Sequence, residues 1–465
     1  MTSLSDRLRG IVSNNIDRRA EIVRRPGPLD PAVSDGGSKE QDPPDNPGEV
    51  LGGDWCESGG GRYLVVDRSY SPGYRHGSMS IADGLPPSDG GWARLSLLAK
   101  GADSACPERG QAARPGRVEG NLLFIDLETT GLAGGAGTYA FLVGCGWFDG
   151  GRFRVRQFFL SNFIAERALL EALVDLARTS GTVVTYNGKS FDLPLVETRL
   201  TIHRMETPFT AMPHIDMLHP ARRLWRKSEA ASLQSYGLPR ATSRGGMPLR
   251  DSGCRLSVLE QSLCGHVREG DVAGFEIPSR YFHFVRTGDA RPLEAVLEHN
   301  RLDLLSLALV TARAAQLLDE GAPSTRTARE ALGLGRLYER GGMFTDAWRC
   351  FTRAIELDDD DVMTRAEGLR AHAALARRMR RFSDAAASWR RLLEMAECPP
   401  SFAREASEAL AVHLEHRLRD YQTARGYAMQ SLYSDTSPAR KQATLHRVAR
   451  LDRKIDSRSS IGALF

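Results

Sequence analysis

The sequence predicts an α/β domain, in which helices flank a mixed sheet, followed by an all-α region of helical repeats. Three observations lead to this fold class. Between residues 121 and 319, short strand-like apolar runs alternate with longer runs at helical spacing. After residue 324 the helical spacing continues without strands. Within that second region, one pattern of small and aromatic residues recurs along the chain, which is typical of a repeat architecture.

The α/β domain begins with three consecutive strands and then alternates helices with single strands. The strand-like runs are LLFIDLETT, YAFLVGCGWFD, RFRVRQFFL, TVVTYNG and the short HIDMLH. The turn DGGR joins the second and third runs as a hairpin. Helical spacing is found in ERALLEALVDLARTS, in FDLPLVETRLTIHR and in the long closing segment 292–319. This order predicts a mixed sheet covered by helices.

The helical region has the spacings of tetratricopeptide-like repeats. The first copy is carried by Leu334, Gly335, Tyr338, Ala347, Phe351 and Ala354. The second copy is carried by Ala373, Ala376, Ala385, Trp389 and Leu392. A weaker third copy centres on Ala424 and Ala428. Small residues let paired helices approach closely, and we expect this region to recruit a protein partner.

These patterns divide the chain into five segments. We expect a short helix and a disordered linker at 1–53, because the linker is rich in Pro, Gly, Asp and Ser. The others are a small irregular preface at 54–120, the α/β domain at 121–320, tetratricopeptide-like repeats at 325–435 and a basic tail at 436–465.

Composition excludes several classes of protein. An apolar content of 41% with a net charge of +4 is ordinary for a soluble globular protein. The longest apolar run is far shorter than the roughly 20 residues that cross a bilayer. The opening residues lack a signal-peptide core, so we expect a cytoplasmic protein without a membrane partner. Seven cysteines without a C-x-x-C pair argue against a zinc ribbon and a disulfide framework.

Two carboxylates stand close together at the end of the first predicted strand. Asp126 and Glu128 are two residues apart and therefore project from the same face, opposite Ile125 and Leu127. Neighbouring carboxylates repel and raise each other's pKa unless a cation lies between them. Mg²⁺ and Mn²⁺ prefer such oxygen ligands. A strand that simply ends in solvent remains the alternative for this pair taken alone.

Two later segments add further acids. Asp192 opens a predicted helix after a glycine turn, where an ordinary helix cap is the alternative. His299 and Asp303 stand four residues apart on one face of the closing helix, where a surface interaction is the alternative. Taken together, the three segments favour a shared site.

The segments FIDLETTG, YNGKSFD and HNRLD, in this order, resemble the three motifs of the DEDD (DnaQ-like) 3′–5′ exonucleases, which have a ribonuclease-H-like fold. That resemblance covers residues 121–319. The segment GFEIPSRYFHFVRTGD, followed by VLEHNRLDLLSL and a helical-repeat tail, resembles the bacterial YprB-type ribonuclease-H-like proteins. This second resemblance covers the tail as well.

The resemblance implies a metal-dependent nuclease acting on DNA or RNA that is single-stranded or has a free 3′ end. Asp126, Glu128, Asp192 and Asp303 would bind two Mg²⁺ or Mn²⁺ ions about 4 Å apart, and His299 would be the general base. The candidate substrate-binding residues are Thr129, Thr130, Gly131 and Asn187, together with Arg222 and Arg223 at the start of the basic segment 222–255.

One feature departs from the family pattern. His299 precedes Asp303 by the distance found in the tyrosine-type members and stands one residue closer than the base of the histidine-type members. One residue corresponds to about 100° of helix, so the imidazole is expected to point in a different direction. A non-catalytic nucleic-acid-binding or scaffold protein with the same fold is therefore the alternative function.

Overall fold

The computed structural model describes residues 46–58, 61–85, 94–99, 121–131, 137–226, 254–357, 361–433 and 438–462. All of them belong to one compact unit that spans residues 45–465. Residues 1–45 of the predicted helix and linker lie outside the described residues, and so do residues 227–253 of the basic segment.

A seven-stranded mixed sheet is the centre of the first region. Its strands are β1 (Asp54–Ser58), β2 (Gly61–Tyr70), β5 (Leu122–Thr129), β6 (Ala140–Asp149), β7 (Arg152–Phe159), β8 (Thr182–Thr185) and β9 (His214–Asp216). The order across the sheet is β1-β2-β7-β6-β5-β8-β9. The strands β5, β6 and β7 form an antiparallel meander, whereas β8 and β9 run parallel to β5, which confirms the predicted mixed sheet.

The expected irregular preface contributes two strands to this sheet, and in this respect the prediction was wrong. β2 pairs with β7 in an antiparallel register in which Val65 faces Phe158. The run RYLVV places Leu64 and Val66 at 0% and 1% exposure, so these side chains need a covering layer that a separate preface would not supply. A short hairpin follows, formed by β3 (Arg75–His76) and β4 (Met79–Ser80).

Helices cover both faces of the sheet. They are α1 (Pro47–Leu51), α2 (Ser96–Ala99), α3 (Glu166–Arg178), α4 (Asp192–Ile202), α5 (Leu218–Leu224), α6 (Leu256–Leu259), α7 (Ile277–Thr287) and α8 (Arg291–Glu320). Directly after α6 the chain forms one π-helical turn at Glu260–Cys264. On one face of β5, the odd-numbered residues pack against α3 and α7. On the other face, Leu122 and Phe124 pack against α8 and α5.

The long helix α8 crosses from one core to the other. Leu293 and Leu297 belong to the first core, while Leu304 and Leu305 belong to the second. Between them lies Asn300, which is 0% exposed. This crossing brings the middle of α8 against the end of β5, where the predicted site lies.

The second region contains paired helices. They are α9 (Ala328–Arg340), α10 (Phe344–Glu356), α11 (Val362–Arg378), α12 (Phe382–Leu393), α13 (Pro400–His413), α14 (Tyr421–Tyr433) and α15 (Pro438–Gly462). The residues of the predicted repeats are buried, and a Cβ on Gly335 would lie 2.5 Å from the ring of Phe351. Close helix approach therefore depends on small residues as expected, while the tetratricopeptide assignment remains a prediction.

The expected basic tail is helical over most of its length. α15 packs Val448 and Leu451 into a small core with α14. Three of its cations, Arg447, Arg450 and Lys454, bind the buried carboxylate of Glu415. These charges are thus used inside the helical region.

The two regions meet at α5 and α9. Trp225 Nε1 donates to Glu330 Oε1 over 2.9 Å. A Cβ on Gly333 would lie 2.2 Å from the backbone oxygen of Arg223, so the helices touch directly. In the part of the chain that the structure describes, every helix is too short or too polar to cross a membrane.

Candidate active site

The end of β5 presents the first two acids. Asp126 and Glu128 project from one face of the strand, and Ile125 and Leu127 are buried in the core on the other face. The register of β5 against β6 shifts between Glu128 and Thr129. Such an irregularity re-aims the side chains at the end of a strand.

Asp192 is placed by the loop between β8 and α4. The buried Asp216 at the end of β9 accepts hydrogen bonds from the backbone N–H groups of Asn187 and Lys189, at 2.7 and 3.1 Å. Asn187 has a φ of 67°, a left-handed conformation that asparagine tolerates. Asp216 therefore holds the turn that delivers Asp192 to the first turn of α4.

Helix α8 contributes Asn300 and Asp303. Asn300 Nδ2 donates to Asp126 Oδ2 over 2.8 Å and to the Asp126 backbone oxygen over 3.1 Å. Asp303 is one helical turn further on, with 19% of its side chain exposed. The predicted third motif thus packs directly against the first.

The electrostatics show that the four acids act on one another. Burial and the negative charges of Asp303, Glu128 and Asp192 raise the pKa of Asp126 well above its ordinary value. The pKa of Glu128 is raised by burial, Asp303 and Asp192. Burial raises the pKa of Asp192 to about 7. The structure therefore brings together the four residues that the three motifs predicted.

A buried arginine forms a salt bridge with one acid of this cluster. Arg268 Nη2 donates to Asp303 Oδ1 over 2.5 Å, and Arg268 Nε donates to Glu260 Oε2 over 2.6 Å. Only 6% of the arginine side chain is exposed. Within the described residues, the oxygen atoms of Asp126, Glu128, Asp192 and Asp303 include no three that all lie within 4.8 Å of one another. The four acids are therefore close enough for their charges to affect one another, but their oxygen atoms do not lie close enough together to form a complete set of metal ligands.

His299 pairs with an acid that the motifs did not include. Its Nδ1 lies 2.6 Å from Asp271 Oδ1, and its Nε2 lies 3.6 Å from Asp303 Oδ2. A carboxylate on Nδ1 keeps the proton there and leaves Nε2 able to accept one. The histidine at the shortened spacing therefore does face the acid cluster.

The predicted substrate-binding residues on β5 and its following turn have structural contacts as well. Thr129 Oγ1 donates to the backbone oxygen of Gly131 over 2.9 Å. Tyr139 N donates to Thr130 Oγ1, and Thr130 N donates to the Tyr139 backbone oxygen, each over 2.9 Å. These bonds hold the turn beside Glu128, and the substrate role of the three residues remains a prediction.

The two predicted arginines lie in the last turn of helix α5. Arg223 packs beside α9, where its positive charge helps burial to lower the pKa of Arg340 to about 10. The neighbouring Arg222 lies on the same short helix, α5. The structure thus places Arg223 at the junction of the two regions, and the binding of substrate phosphates by Arg222 and Arg223 remains a prediction.

The motifs missed Asn300, Arg268 and Asp271. A signal existed for Asn300, because the helical stripe of Leu297 and Leu304 places a polar residue among leucines. Arg268 and Asp271 lie in an irregular segment after the π-helical turn, and nothing local marks them. Their contacts join residues about 30 positions apart in the chain, as in Arg268 with Asp303 at a separation of 35.

The donor set fits a hard divalent cation. In the described part of the chain, Asp126, Glu128 and Asp192 form no salt bridge, although all three are largely buried and carry raised pKa values. Buried carboxylates without a cation are costly. Carboxylate oxygens without thiol or multiple imidazole ligands suit Mg²⁺ or Mn²⁺.

Comparison with known proteins identifies the superfamily of the domain that contains these residues. The RNase_H superfamily profile matches residues 123–315, which include all four acids and His299. Over 347 residues the chain is 31% identical to a Bacillus subtilis (strain 168) protein called "Uncharacterized protein YprB". The matched part covers 74% of this chain and 77% of that protein, so it extends beyond the sheet into the helical region.

Proposed function

We propose that this chain, which belongs to the YprB family of RNase H-like proteins, is a divalent-metal-dependent nuclease. The finer proposal is a 3′–5′ exonuclease that hydrolyses phosphodiester bonds with two metal ions. Membership of the RNase H superfamily supports nucleic acid as the binding partner.

The observation that carries the proposal is the meeting of four carboxylates from three distant segments. Strand β5, the start of α4 and the middle of α8 each supply acids, and burial together with the charges of these acids raises the pKa of Asp126, Glu128 and Asp192. A fold gains no stability from gathering uncompensated acids. Their juxtaposition is explained by a cationic ligand.

The chain's own residues have distinct roles in this proposal. Asp126, Glu128, Asp192 and Asp303 would hold the ions. Bound Mg²⁺ or Mn²⁺ would supply Lewis-acid stabilisation of the phosphate and the leaving oxygen. His299 Nε2 accepts a proton from the attacking water, while Asp271 retains the imidazole proton on Nδ1. In this proposal Thr129, Thr130, Gly131 and Asn187 contact the substrate.

A panel of end-labelled DNA and RNA oligonucleotides, single- and double-stranded, tests the proposal with Mg²⁺ and Mn²⁺. We expect the wild-type protein to shorten single strands from the 3′ end and Asp126→Ala to abolish this. Asp149→Ala is the matched control, because Asp149 ends the neighbouring strand β6 and is 58% exposed. Equal degradation by wild type and Asp126→Ala would identify a contaminant and remove the support.

One contact favours a second candidate function. Arg268 already binds Asp303, which is the kind of internal compensation expected in a non-catalytic nucleic-acid-binding or scaffold protein. Such a protein would bind a divalent ion and nucleic acid and cleave no substrate of the panel. We also propose that the helical region binds a protein partner and that the protein acts in the cytoplasm.

A further inference from the structure

A continuous chain of polar contacts leads from the β3–β4 hairpin to the candidate active site. His76 Nε2 lies 2.7 Å from Glu260 Oε1, and Ser306 Oγ donates to the same oxygen over 2.7 Å. Glu260 Oε2 accepts from Arg268 Nε, and Arg268 Nη2 reaches Asp303. His76 and Glu260 are 1% and 0% exposed, so this end of the chain of contacts is buried, whereas the Asp303 side chain is 19% exposed.

This arrangement fixes the position of the Arg268 guanidinium. Glu260 receives hydrogen bonds from His76, Ser306 and Arg268, so its two oxygens have protein partners. His266 stacks on His76 with ring centroids 4.2 Å apart and covers the network. The side-chain nitrogen and oxygen atoms of His76, Glu260 and His266 lie within 4.8 Å of one another. We interpret this group as the anchor of Arg268, meaning that it holds the guanidinium in place.

The anchored guanidinium competes with a metal ion for Asp303. A divalent ion on Asp303 Oδ1 would lie about 2 Å from that oxygen. Because Arg268 Nη2 is 2.5 Å from the same atom, the two cations would lie within about 5 Å of each other in a buried site. The other oxygen, Oδ2, faces His299 Nε2 at 3.6 Å. One oxygen of Asp303 is therefore bound by the arginine, and the other lies beyond hydrogen-bonding distance of the imidazole.

The remaining three acids form a separate subset. Among the described residues, Asp126, Glu128 and Asp192 have no salt-bridge partner, and Asp126 Oδ2 is held by Asn300. Because their oxygen atoms are not all within 4.8 Å of one another, these three side chains would have to move closer together to share one ion, but none of them has to displace Arg268 from Asp303.

We propose that Arg268 acts as an internal cation in place of one metal ion, so that the protein without nucleic acid binds a single divalent ion. Asp126, Glu128 and Asp192 hold that ion, and Asp303 becomes a ligand only when the guanidinium leaves it. Arg268 is thus a positioning residue for Asp303. This inference rests on the proposed metal-dependent function and specifies the state of the site before substrate arrives.

Calorimetric titration of the full chain with Mn²⁺, in the absence of nucleic acid, tests this inference. We expect one Mn²⁺ per wild-type chain and two per chain of Arg268→Met, which keeps the length of the side chain and removes its charge. Arg301→Met is the matched control, since Arg301 is also a largely buried arginine, 11% exposed, that pairs with Glu298. That control should bind one ion.

Circular dichroism and thermal melting establish that each variant is folded. If Arg268→Met does not fold, Arg268→Gln takes its place, because glutamine retains an amide donor for Glu260. Two ions on the wild-type chain overturn the inference, and so does a single ion on a folded variant that lacks the arginine. The absence of any bound Mn²⁺ on all variants also overturns it.

The result is separable from the proposed nuclease activity. A wild-type protein that binds one Mn²⁺ and cleaves no oligonucleotide supports the role of Arg268 and refutes the nuclease. A wild-type protein that binds two Mn²⁺ ions and cleaves supports the nuclease and refutes the role of Arg268.

Discussion

The side-chain amide of Asn300 lies 2.8 Å from the carboxylate of Asp126 and links the closing helix to the first acid of the site. The amide orientation is set from its other side, because Gln157 Nε2 donates to Asn300 Oδ1 over 2.9 Å. Gln157 also donates to the backbone oxygen of Leu297 over 2.8 Å. Strand β7, helix α8 and strand β5 are thereby joined through one buried asparagine.

Replacing Asn300 by leucine should weaken metal binding more than it changes the fold. The hydrogen bond that favours the ionised form of Asp126 would disappear, while leucine fills a similar volume. Loss of such a supporting contact typically lowers metal affinity about 10- to 100-fold. Mn²⁺ titration measures the change. Gln157→Met is the comparison, because it removes the partner of Asn300 and leaves the bond to Asp126. Equal affinities in wild type and Asn300→Leu would show that Asn300 does not support the site.

Gly144→Ala should disturb the same contact from the opposite strand. A Cβ at Gly144 would lie 2.2 Å from Asn300 Oδ1, far inside van der Waals contact. Because the crowded atoms belong to a buried amide, we expect a loss of about 1–3 kcal/mol in the free energy of unfolding. Urea denaturation measures it. Gly426→Ala is the control, since a Cβ there meets no atom within 4 Å and alanine favours the surrounding helix. A Gly144→Ala protein as stable as wild type would contradict the packing described for α8.

The metal-free protein should become less stable as the pH rises. Burial raises the pKa of Asp192 from its ordinary 3.8 to about 7, so the folded state binds this proton more tightly than the unfolded chain does. That stabilising contribution is complete below about pH 3.8 and is lost as the pH rises through about 7. Asp126 and Glu128 shift in the same direction. Thermal melting across this range, with a chelator present, measures the decline.

Two comparisons identify the source of that decline. Asp192→Asn should flatten it, because asparagine does not titrate, whereas Asp149→Asn on the exposed end of β6 should leave it unchanged. Mn²⁺ should restore stability above about pH 7, where the carboxylates are ionised and can bind it. A melting temperature that rises steadily over the same interval in the metal-free protein would contradict the uncompensated acid cluster.

His299→Ala should reduce turnover without preventing metal binding. General bases contribute roughly 10²- to 10⁴-fold to the rate, and His299 is not one of the four oxygen ligands. Single-turnover cleavage with saturating protein measures the chemical step, and Mn²⁺ titration verifies the site. Asp271→Asn should lower the rate by a smaller factor, because an amide can still bind Nδ1. Unchanged cleavage by His299→Ala would mean that the imidazole near Asp303 takes no part in the reaction.

Local spacing in the sequence was enough to predict much of the fold and the four acids. The odd–even alternation of LLFIDLET separates core from site, since Ile125 is 1% exposed and Asp126 projects from the other face. The three strands of the meander, the strand β8 and the closing helix follow from hydrophobic periodicity, which is a property of neighbouring residues. The buried small residues of the helical region follow from the same kind of repeat.

Tertiary structure alone decided how these elements meet. β2 joins the sheet by pairing with a strand about 90 residues later, as Val65 does with Phe158, and β1 joins it by pairing with β2. Strand partners at such a distance as β2 and β7 leave no mark in either sequence segment. Arg268 and Asp271 reach the site from an irregular segment because the network around Glu260 and the packing of α8 bring them there. The sequence determined that Asp126 and Glu128 face the same way. Long-range packing determined that Arg268 lies beside the acids, because electrostatic partners depend on distance in space and not on position in the chain.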